Sequence, residues 1–505
     1  MRKRIWKTVV GLALTLALVM GTLSGCGGDK NSKKSSGITD TGELDTSKEV
    51  ELVMYVVGDR PAGQDVMDDN LNKLLKEKLN CTLKINWVGW AEFANKYPLL
   101  FTSGETFDMA YGATWLNYYS LANKGAFQSV DDLWPDFAPN NFKKATDAAK
   151  QQATVDGHYY CVPTLNGTYN NYGLIYRTDI MEGTDWNGKM DTYEDIEAYC
   201  DIVKETHPEM DPLDIYSAGP EWNNIFAYNS GLSYVDKGFN SLVYDASEEN
   251  PKVKPIYEAD GLKDFLKMMK RWNDKGFFSK SALSDTDTTK TANGKAAIKI
   301  HNISTYRDLA IQHPEYSFAF QNMVKDTAHL PYTQDCMVIS NTSQNPERAM
   351  AFWDLVTSDQ EVYDAFNYGV QGTTYDLNDQ GQFEILDQDL YAVSSMYAAQ
   401  TADLKRDQVG TPEDYETMNE EYESEIVEGK GNERFAGFVL DTSSIETEVA
   451  ACLNIGQQYF YPLCLGYTDI DSGMKEFETQ MKAAGLEKVQ EEVQKQLDAY
   501  VAGLK

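Results

Sequence analysis

The sequence predicts an α/β fold in which helices cover parallel strands. Residues 50–58 form an apolar run that ends in glycine, and residues 81–88 alternate apolar with polar side chains, so both segments predict strands. Between them, residues 66–79 repeat methionine and leucine at helical spacing. A strand, a helix and a strand in this order and at this spacing are typical of a βαβ unit, whose strands are parallel.

The next elements extend the same sheet. Residues 90–101 predict a helix, and residues 108–112 predict a third, short strand. Because the ligands of such sheets bind beyond the carboxyl ends of the strands, we expect the binding edge at residues 58–60, 87–90 and 112–115.

A second group of elements follows a polar stretch rich in asparagine and tyrosine. Residues 173–177 predict a strand, and later segments repeat apolar residues at helical spacing. These predicted helices are residues 192–204, 261–274, 346–366 and 486–500. This second round of elements, in a body of roughly 480 residues, predicts two or more domains.

The composition makes nucleic acid an improbable partner. The chain of 505 residues has a formal charge of −33. Its first 25 residues, whose expected removal is argued below, carry four basic side chains and no acid, so the remainder has a formal charge of −37. Neutralising phosphates requires a basic surface, which this composition does not supply. The 31 tyrosines, 20 phenylalanines and 9 tryptophans provide rings for a core and for stacking on sugars.

Six of the 7 cysteines follow Cys26. In an exported protein such residues can form disulfides. Their spacing is irregular, and most have apolar or aromatic neighbours, so we expect buried free thiols instead of disulfides.

The N-terminus carries an export signal. Residues 2–7 are largely basic, residues 8–23 are apolar and uncharged, and residues 23–26 are Leu-Ser-Gly-Cys. An apolar run of this length before a small-residue cleavage site is typical of a signal peptide and is short for a spanning helix. The segment resembles a bacterial lipobox, which implies cleavage before Cys26 and a lipid on that cysteine. The alternative is a cleaved secretory signal with a chance cysteine.

We therefore expect a lipoprotein signal peptide at residues 1–25. Residues 26–48 are rich in glycine, serine and lysine, with almost nothing to bury. This composition predicts a flexible tether that holds the body off the membrane.

Several short motifs, in this order along the chain, resemble a known family. They are residues 156–163 followed by 174–179, the Asn-Gly-Lys-Ala-Ala-Ile run at 293–298, the Tyr-Gly-Val-Gln-Gly run at 368–372, and residues 447–450 and 459–466. With the lipobox and tether, they are similar to extracellular solute-binding lipoproteins of carbohydrate ABC transporters, in a family 1-like, LipO/LplA-like branch that ends in a DUF3502-type domain. Two positions depart from the family's motifs, because Ile298 replaces the usual methionine and Gln371 the usual glutamate.

The resemblance implies an α/β, two-lobe periplasmic-binding-protein-like fold with a hinge and a ligand cleft between the lobes. On this basis we expect a first lobe at residues 49–169 with a returning segment at about 331–360, a second lobe at 170–330, and a C-terminal segment at 361–505 that completes the lobes and ends in helices. The lobes would close on a ligand by population shift.

The resemblance also implies the partners. An oligosaccharide or another small solute would be captured and passed to the permease subunits of an ABC importer, without chemistry and without a required cofactor. The protein would act as a monomer, lipid-anchored at the extracellular face of the cell membrane of a Gram-positive-type bacterium.

Candidate ligand-binding residues lie at strand ends, loops and crossings between the lobes. Aromatic rings can stack on the apolar faces of sugars, and planar polar groups can bond their hydroxyls. The candidates are Trp87, Trp115, Asn170, Glu221, Trp222, His301, Asn302, Asp335, Gln371 and Tyr375. By resemblance, Trp222 occupies the place of a stacking aromatic of the second lobe, and Asn170 that of a polar ligand group. The alternatives are core packing for the tryptophans and turn capping for Asp335 and Asn170.

One loop has oxygen ligands at alternate positions. Asp185, Asn187, Lys189 and Asp191 occupy positions 1, 3, 5 and 7, and Glu194 occupies position 10. This spacing suits a structural Ca²⁺ in an EF-hand-like loop, with Lys189 contributing its carbonyl oxygen. Some oligosaccharide-binding relatives carry such a loop here. The loop lacks a glutamate at position 12, and its glycine is at 4 instead of 6, so the alternative is an acidic turn before a capped helix.

No enzyme motif is apparent. HExxH, GxSxG, Walker and GxGxxG motifs are missing from the sequence, and the 5 histidines have no metal-ligand spacing. Abundant acids and aromatics would also suit a secreted glycoside hydrolase or lyase, and a peptide-binding lipoprotein is a further alternative. The lipobox, the tether and the order of the motifs favour a binding protein.

Overall fold

The structure is a computed structural model that describes residues 37–503 except 40, 91, 170–171, 217–220, 237–238, 325–328, 388–389, 391–396, 425–434, 436–437, 439 and 443. The predicted signal peptide, the lipid site at Cys26 and most of the predicted tether lie outside the described residues. Within those residues, no helix is long and apolar enough to cross a membrane.

The first lobe is built on a mixed five-stranded sheet. Its first elements are β1 (Val50–Val57), α1 (Gln64–Leu79), β2 (Cys81–Val88), α2 (Phe93–Leu100), β3 (Met109–Gly112), α3 (Tyr118–Asn123), α4 (Leu133–Phe137), α5 (Pro139–Lys144), α6 (Asp147–Gln152), β4 (Thr154–Val155), β5 (His158–Tyr159) and β6 (Val162–Pro163). β1 pairs in parallel with both β2 and β3, as the predicted βαβ order requires. α1 buries Met67, Leu71, Leu75 and Leu79, which is the apolar face that the sequence pattern predicts.

The chain then crosses to the second lobe through β7 (Thr168–Tyr169). The elements there are β8 (Gly173–Arg177), α7 (Tyr193–Thr206), β9 (Asp211–Leu213), α8 (Glu221–Asn229), β10 (Ser233–Asp236), β11 (Phe239–Tyr244), β12 (Lys254–Pro255), α9 (Leu262–Lys275), β13 (Ala296–His301), α10 (Ile303–Gln312) and β14 (Phe318–Asn322). The main sheet has the order β14-β8-β13-β9, in which β8 is antiparallel to β13 and β14, and β9 is parallel to β13. β10, β11 and β12 form a separate antiparallel sheet.

The chain returns through β15 (His329–Leu330), which pairs with β7 as a two-stranded ribbon. The remaining elements are β16 (Cys336–Ile339), α11 (Pro346–Ser358), α12 (Gln360–Asn367), β17 (Tyr375–Leu377), β18 (Phe383–Ile385), α13 (Glu413–Ser424), α14 (Glu446–Ile455), α15 (Tyr461–Cys464), α16 (Ile470–Ala483) and α17 (Leu486–Gly503). β16 inserts between β3 and β6, antiparallel to both. The predicted helix at 346–366 is two helices, because the Asp359 side chain accepts a hydrogen bond from the Val362 backbone and caps α12.

Each lobe has its own large apolar core. The first-lobe core joins the sheet with α1, α11 and α12. The second-lobe core joins β8, β13, α7, α8 and α9 with the C-terminal helices α14–α17. Phe477, Val493 and Leu497 of those helices are fully buried in it. The C-terminal helices are therefore part of the second lobe, whereas α11 and α12 belong to the first.

Part of the expected tether packs on the first lobe. The carbonyl oxygens of Asp45 and Thr46 accept hydrogen bonds from the Arg348 guanidinium and from Asn80 Nδ2 respectively. Arg348 is buried, and it also donates to the carbonyls at the end of α1. Leu44 packs against the first-lobe core. The polar composition predicted flexibility through residue 48, but a buried guanidinium requires acceptors, and this backbone supplies one.

The cysteines confirm the expectation of free thiols. The free, buried residues are Cys81, Cys161, Cys200, Cys336, Cys452 and Cys464. Burial raises the pKa of both Cys81 and Cys452 to about 11, so these thiols stay protonated at neutral pH.

Candidate functional site

The carboxyl ends of the first-lobe strands carry a cluster of aromatic rings. Trp90 follows β2 and Trp115 follows β3, and their rings stack with centroids 5.9 Å apart and planes at 28°. Phe93 of α2 lies roughly perpendicular to both rings. Trp90 is 45% exposed, so the cluster leaves apolar ring surface open to solvent. We call Trp90, Phe93 and Trp115 the first-lobe aromatic wall.

A polar pair borders this wall. The Tyr111 hydroxyl donates to Asp335 Oδ1, and the Tyr111 ring centroid lies 5.9 Å from that of Trp115. Nearby, Thr114 Oγ1 donates to Gln334 Oε1 at 3.1 Å. Because β16 is antiparallel to β3, the start of β16 lies at the carboxyl end of β3. Asp335 therefore lies at the edge where ligands of such sheets bind.

The second lobe brings three rings together beside the crossing. His301 ends β13 and pairs with Gly173, the first residue of β8. The His301 ring centroid is 6.2 Å from that of Tyr172, which is 6.4 Å from that of Tyr228 in α8. We call Tyr172, Tyr228 and His301 the second-lobe aromatic wall. Both walls adjoin the segments that join the lobes.

His301 is a neutral hydrogen-bonding group. Its pKa is lowered to about 4, chiefly by burial and also by the nearby Lys299 ammonium, while a hydrogen bond with Asn302 acts in the opposite direction. Its Nδ1 lies 2.6 Å from Thr305 Oγ1. A neutral imidazole has one donor and one acceptor nitrogen, so it can bond a hydroxyl without adding charge to the site.

Asn302 has a structural task. Its Oδ1 accepts hydrogen bonds from the Thr305 backbone N–H at 3.0 Å and from Thr305 Oγ1 at 3.1 Å, and it thereby caps α10. Helix capping therefore engages the oxygen of this amide, because the residue immediately precedes the first turn of the helix, and the ligand role expected of Asn302 stays a prediction.

Trp222 is a core residue. It is 2% exposed, and its ring centroid lies 5.1 Å from that of Trp272 and 6.2 Å from that of Tyr193. The prediction that Trp222 stacks on a sugar is wrong. The sequence around it predicted a loop, but α8 begins at residue 221 and packs this ring against α9.

Trp87 packs against the apolar core of the first lobe. Its ring borders a void of about 20 Å³ together with Met67 of α1 and Phe366 of α12. In the described part of the chain its Nε1 is buried without a hydrogen-bond partner. Trp87 does not join the first-lobe aromatic wall. Trp90, three residues further along and beyond the strand, does.

Gln371 and Tyr375 lie at a separate hairpin. Tyr375 of β17 is 4% exposed and packs with Tyr368 and Phe383 in a small apolar cluster. Gln371 Nε2 donates to Asp376 Oδ1 at 3.1 Å. The predicted ligand role of Tyr375 is wrong, because its ring fills the core of this hairpin. Gln371 belongs to the same hairpin and to neither aromatic wall.

The structure does not describe the side chains of two further candidates. Asn170 lies outside the described residues, and Glu221 is described only as the first residue of α8. Their expected ligand roles stay predictions.

The loop expected to bind calcium is not arranged around a cation. All five candidate residues are exposed, namely Asp185, Asn187, Lys189, Asp191 and Glu194. The Asn187 Oδ1 accepts the Lys189 backbone N–H at 2.9 Å, and a capping box between Thr192 and Asp195 starts α7. Among the residues described, no group of three or more His, Cys, Asp or Glu side chains could hold a metal ion. The loop fits the alternative of an acidic turn before a capped helix.

Sequence reasoning missed several residues of the two walls. Trp90 lies inside the expected binding edge at 87–90, so a signal for it existed, but Trp87 was chosen from that stretch. Tyr172 directly precedes a predicted strand, which is a weaker signal. Tyr228 is inside α8, and nothing in its local sequence distinguishes it from a core residue.

Similar proteins of known structure share this fold. The N-glycan transport solute binding protein (NgtS) from Streptococcus pneumoniae, in complex with Man1GlcNAc, has a TM-score of 0.71 at 21% identity and covers 90% of this chain and 100% of that chain. The alginate-binding protein AlgQ2 without calcium ion has a TM-score of 0.60 at 17% identity, with 92% and 100% covered. The S. pneumoniae ABC-transporter substrate binding protein FusA, in complex with kestose, has a TM-score of 0.59 at 17% identity, with 90% and 100% covered.

Comparisons of sequence agree with the fold. The chain is 25% identical to a carbohydrate ABC transporter substrate-binding protein of Streptococcus pneumoniae serotype 4, over 99% of each chain. A domain of unknown function, DUF3502, matches residues 434–502, as the resemblance implied. The family model for bacterial extracellular solute-binding proteins matches residues 71–384. The relatives are binding proteins and not enzymes, which confirms the expected function class and sets the hydrolase alternative aside. The chain belongs to the bacterial extracellular solute-binding proteins.

Proposed function

We propose that the protein captures an extracellular oligosaccharide between its two lobes and delivers it to the permease subunits of an ABC importer. The observation that carries this proposal is the pair of aromatic walls at the edges of the two lobes. Rings of this kind stack on the apolar faces of sugars. The Tyr111–Asp335 pair and the neutral His301 supply hydrogen-bonding groups beside the rings.

The relatives favour a sugar as the solute. One is named as a carbohydrate ABC transporter substrate-binding protein, and similar solved structures are complexes with Man1GlcNAc and with kestose. The formal charge of −33 favours a neutral ligand over an anionic one by long-range repulsion.

The proposal includes the place of the protein at the cell surface. The lipobox supports a lipid on Cys26 and a tether on the extracellular face of the membrane. The body would act as a monomer there and would need no cofactor. Because the 185–194 loop does not gather its carboxylates, no step depends on calcium.

Lobe closure would follow from contacts that exist only when one ligand touches both walls. A sugar resting on Trp90 in the open form gains the contacts of Tyr172 and His301 when the lobes approach. The ligand therefore has a higher affinity for the closed form, which shifts the population toward closure.

The test is a thermal-shift screen of the chain starting at Gly37. The panel contains Man1GlcNAc, Man5GlcNAc, kestose, alginate fragments and peptides, each with calcium and with a chelator. A ligand at 100 times its Kd should add about 2.7 kcal/mol of stability. We expect a dose-dependent rise with one glycan class, the same with and without chelator, and no product. Release of smaller sugars would contradict the binding function, and a response to peptides alone would favour the peptide-binding alternative.

A further inference from the structure

A cavity of about 260 Å³ lies apart from both aromatic walls. On the side of the first lobe it is lined by the end of α12 and by the hairpin β17–β18. Its remaining lining comes from the crossing at residues 400–412, from α13 and from Arg307 of α10. Both lobes therefore contribute to it. None of the residues of the two aromatic walls, and none of the predicted ligand residues, lines this cavity.

Three glutamines give the cavity its chemical character. Gln382, Gln400 and Gln408 all line it. Gln408 is 7% exposed, and within the described residues no hydrogen bond engages its side-chain amide. This amide is not among the buried side-chain groups that lack a partner, so it stays accessible from the cavity and can donate to and accept from a ligand there.

The two guanidinium groups of the cavity already have partners. The Arg406 guanidinium pairs with Asp364 at 2.8 Å, and that of Arg307 pairs with Asp308 at 2.7 Å. The exposed rim carries Lys405 against Asp407, Glu413 and Glu416, so it has a net negative charge. An anionic ligand would be repelled there, whereas a neutral hydroxylated ring can use the amides, which donate and accept.

The cavity adjoins the segments that join the lobes. The Ala402 backbone N–H donates to Asn166 Oδ1 at 3.0 Å, which ties the 400–412 crossing to the first crossing. The Tyr169 hydroxyl donates to Asn419 Oδ1 at 2.5 Å, which ties α13 to β7. The cavity therefore borders the segments that join the lobes, which both aromatic walls also adjoin.

We propose that this cavity is a second saccharide subsite, which binds a distal ring of a glycan whose other rings lie between the aromatic walls. The subsite rests on the proposed function and adds length selection to it. Glycans that reach Gln408 bind more tightly than glycans that only fill the space between the walls.

The test is isothermal titration calorimetry with Man1GlcNAc and Man5GlcNAc as the short and long probes. We compare the parent with Gln408→Ala, Gln400→Ala and the control Gln457→Ala, whose side chain is exposed on the π-helical turn Gly456–Phe460 and does not line the cavity. The parent should bind Man5GlcNAc more tightly than Man1GlcNAc. Each cavity variant should lose about three- to tenfold in affinity for Man5GlcNAc, the worth of one hydrogen bond, and should bind Man1GlcNAc as the parent does.

The other outcomes separate this subsite from the proposed function. Equal affinity of the parent for both probes, unchanged binding of Man5GlcNAc by both cavity variants, or an equal loss for both probes would overturn the subsite and leave oligosaccharide capture standing. A parent that binds no glycan of the thermal-shift panel would overturn both. Unfolding midpoints without ligand, measured for each variant, identify any loss of affinity that comes from misfolding. If Gln408→Ala is misfolded, the result for Gln400→Ala decides whether the subsite exists, because the Gln400 side chain is less buried and its removal disturbs the fold less.

Discussion

Trp90 and Trp222 show that the surroundings of a ring decide its role. Trp90 is 45% exposed beyond the end of β2, whereas Trp222 is 2% exposed between α8 and α9. We expect Trp90→Ala to weaken glycan binding more than tenfold, because exposed tryptophans at binding sites carry much of the affinity. Its free energy of unfolding should stay within about 1 kcal/mol of the parent.

Trp222→Ala is the matched comparison for Trp90→Ala. Emptying a packed core site costs about 3–5 kcal/mol of stability, so this variant should unfold at a much lower urea concentration. Calorimetric titration and urea unfolding of both variants check the pair. A stable Trp222→Ala protein that no longer binds glycan would return the ligand role to Trp222.

His301 should make stability depend on pH. Its pKa in the folded protein is about 4, below the value of about 6.5 in an unfolded chain. The unfolded state therefore binds more protons between these pH values, and the free energy of unfolding falls as the pH falls through this window. Urea unfolding of the parent and of His301→Gln tests this. The stability of the parent relative to the variant should fall by up to about 2 kcal/mol between pH 7 and pH 4.5.

Binding of a neutral glycan gives the complementary measurement for His301. Because the imidazole is already neutral well above pH 4, the affinity should change little between pH 6 and pH 8. A stability difference between parent and variant that does not vary with pH would show that His301 titrates normally in the folded protein.

At the scale of elements, the segment before β1 stabilises the first lobe. The Arg348 guanidinium donates to the Asp45 carbonyl, and the Asn80 side chain donates to that of Thr46. A chain starting at Lys48 loses both acceptors, and a buried charged donor without its acceptor costs about 1.5–3 kcal/mol. We expect that loss in the free energy of unfolding, relative to a chain starting at Gly37.

The control for this truncation is the mature chain with Cys26→Ser. The prediction depends only on the carbonyl groups of Asp45 and Thr46, so this chain should match the one that starts at Gly37. Equal stability of the chains starting at Gly37 and at Lys48 would mean that the segment before β1 adds nothing to the lobe.

The C-terminal helices should unfold together with the second lobe. Leu497 of α17 is fully buried in the core that also contains β8 and β13. Leu497→Ala should therefore cost about 2–5 kcal/mol, whereas Lys495→Ala on the exposed side of the same helix should cost almost nothing. Circular dichroism during urea unfolding should show the second-lobe core and α17 lost in one transition. A separate early transition of the helices would show an independent domain.

Elements with local signals were predictable from the sequence, and contacts between distant segments were not. The apolar spacing of α1 and the alternation of β2 predicted both elements, because the pattern that identifies each buried face lies within one short stretch of sequence. The insertion of β16 beside β3 joins segments more than 220 residues apart, and no local pattern specifies such a partner. The prediction of two lobes came from the resemblance to a family and not from local patterns.

The candidate site was predictable only in part, for a similar reason. Strand ends can be located, so Trp115, His301 and Asp335 were found at the edges that hold the two walls. Whether a ring near such an end faces solvent or core depends on the helix that packs beside it. Trp222 was misassigned because a helix forms where the sequence predicted a loop, and Tyr375 because its ring packs inside a hairpin.

For the whole molecule, the central prediction is that closure needs both walls. A ligand that binds two conformations equally well does not shift the equilibrium between them. Contacts with one lobe alone therefore give affinity without closure. Small-angle X-ray scattering should show a smaller radius of gyration for the parent at saturating Man5GlcNAc. Tyr172→Ala removes the central ring of the second-lobe aromatic wall, and it should bind more weakly and keep the radius of the free protein even at saturation.

Tyr172→Phe is the control for closure, because it keeps the ring beside His301 and Tyr228. It should become as compact as the parent when glycan is added. If Tyr172→Ala at saturation contracts as far as the parent, then the second-lobe wall does not drive closure. The differential affinity would then have to come from other contacts between the lobes.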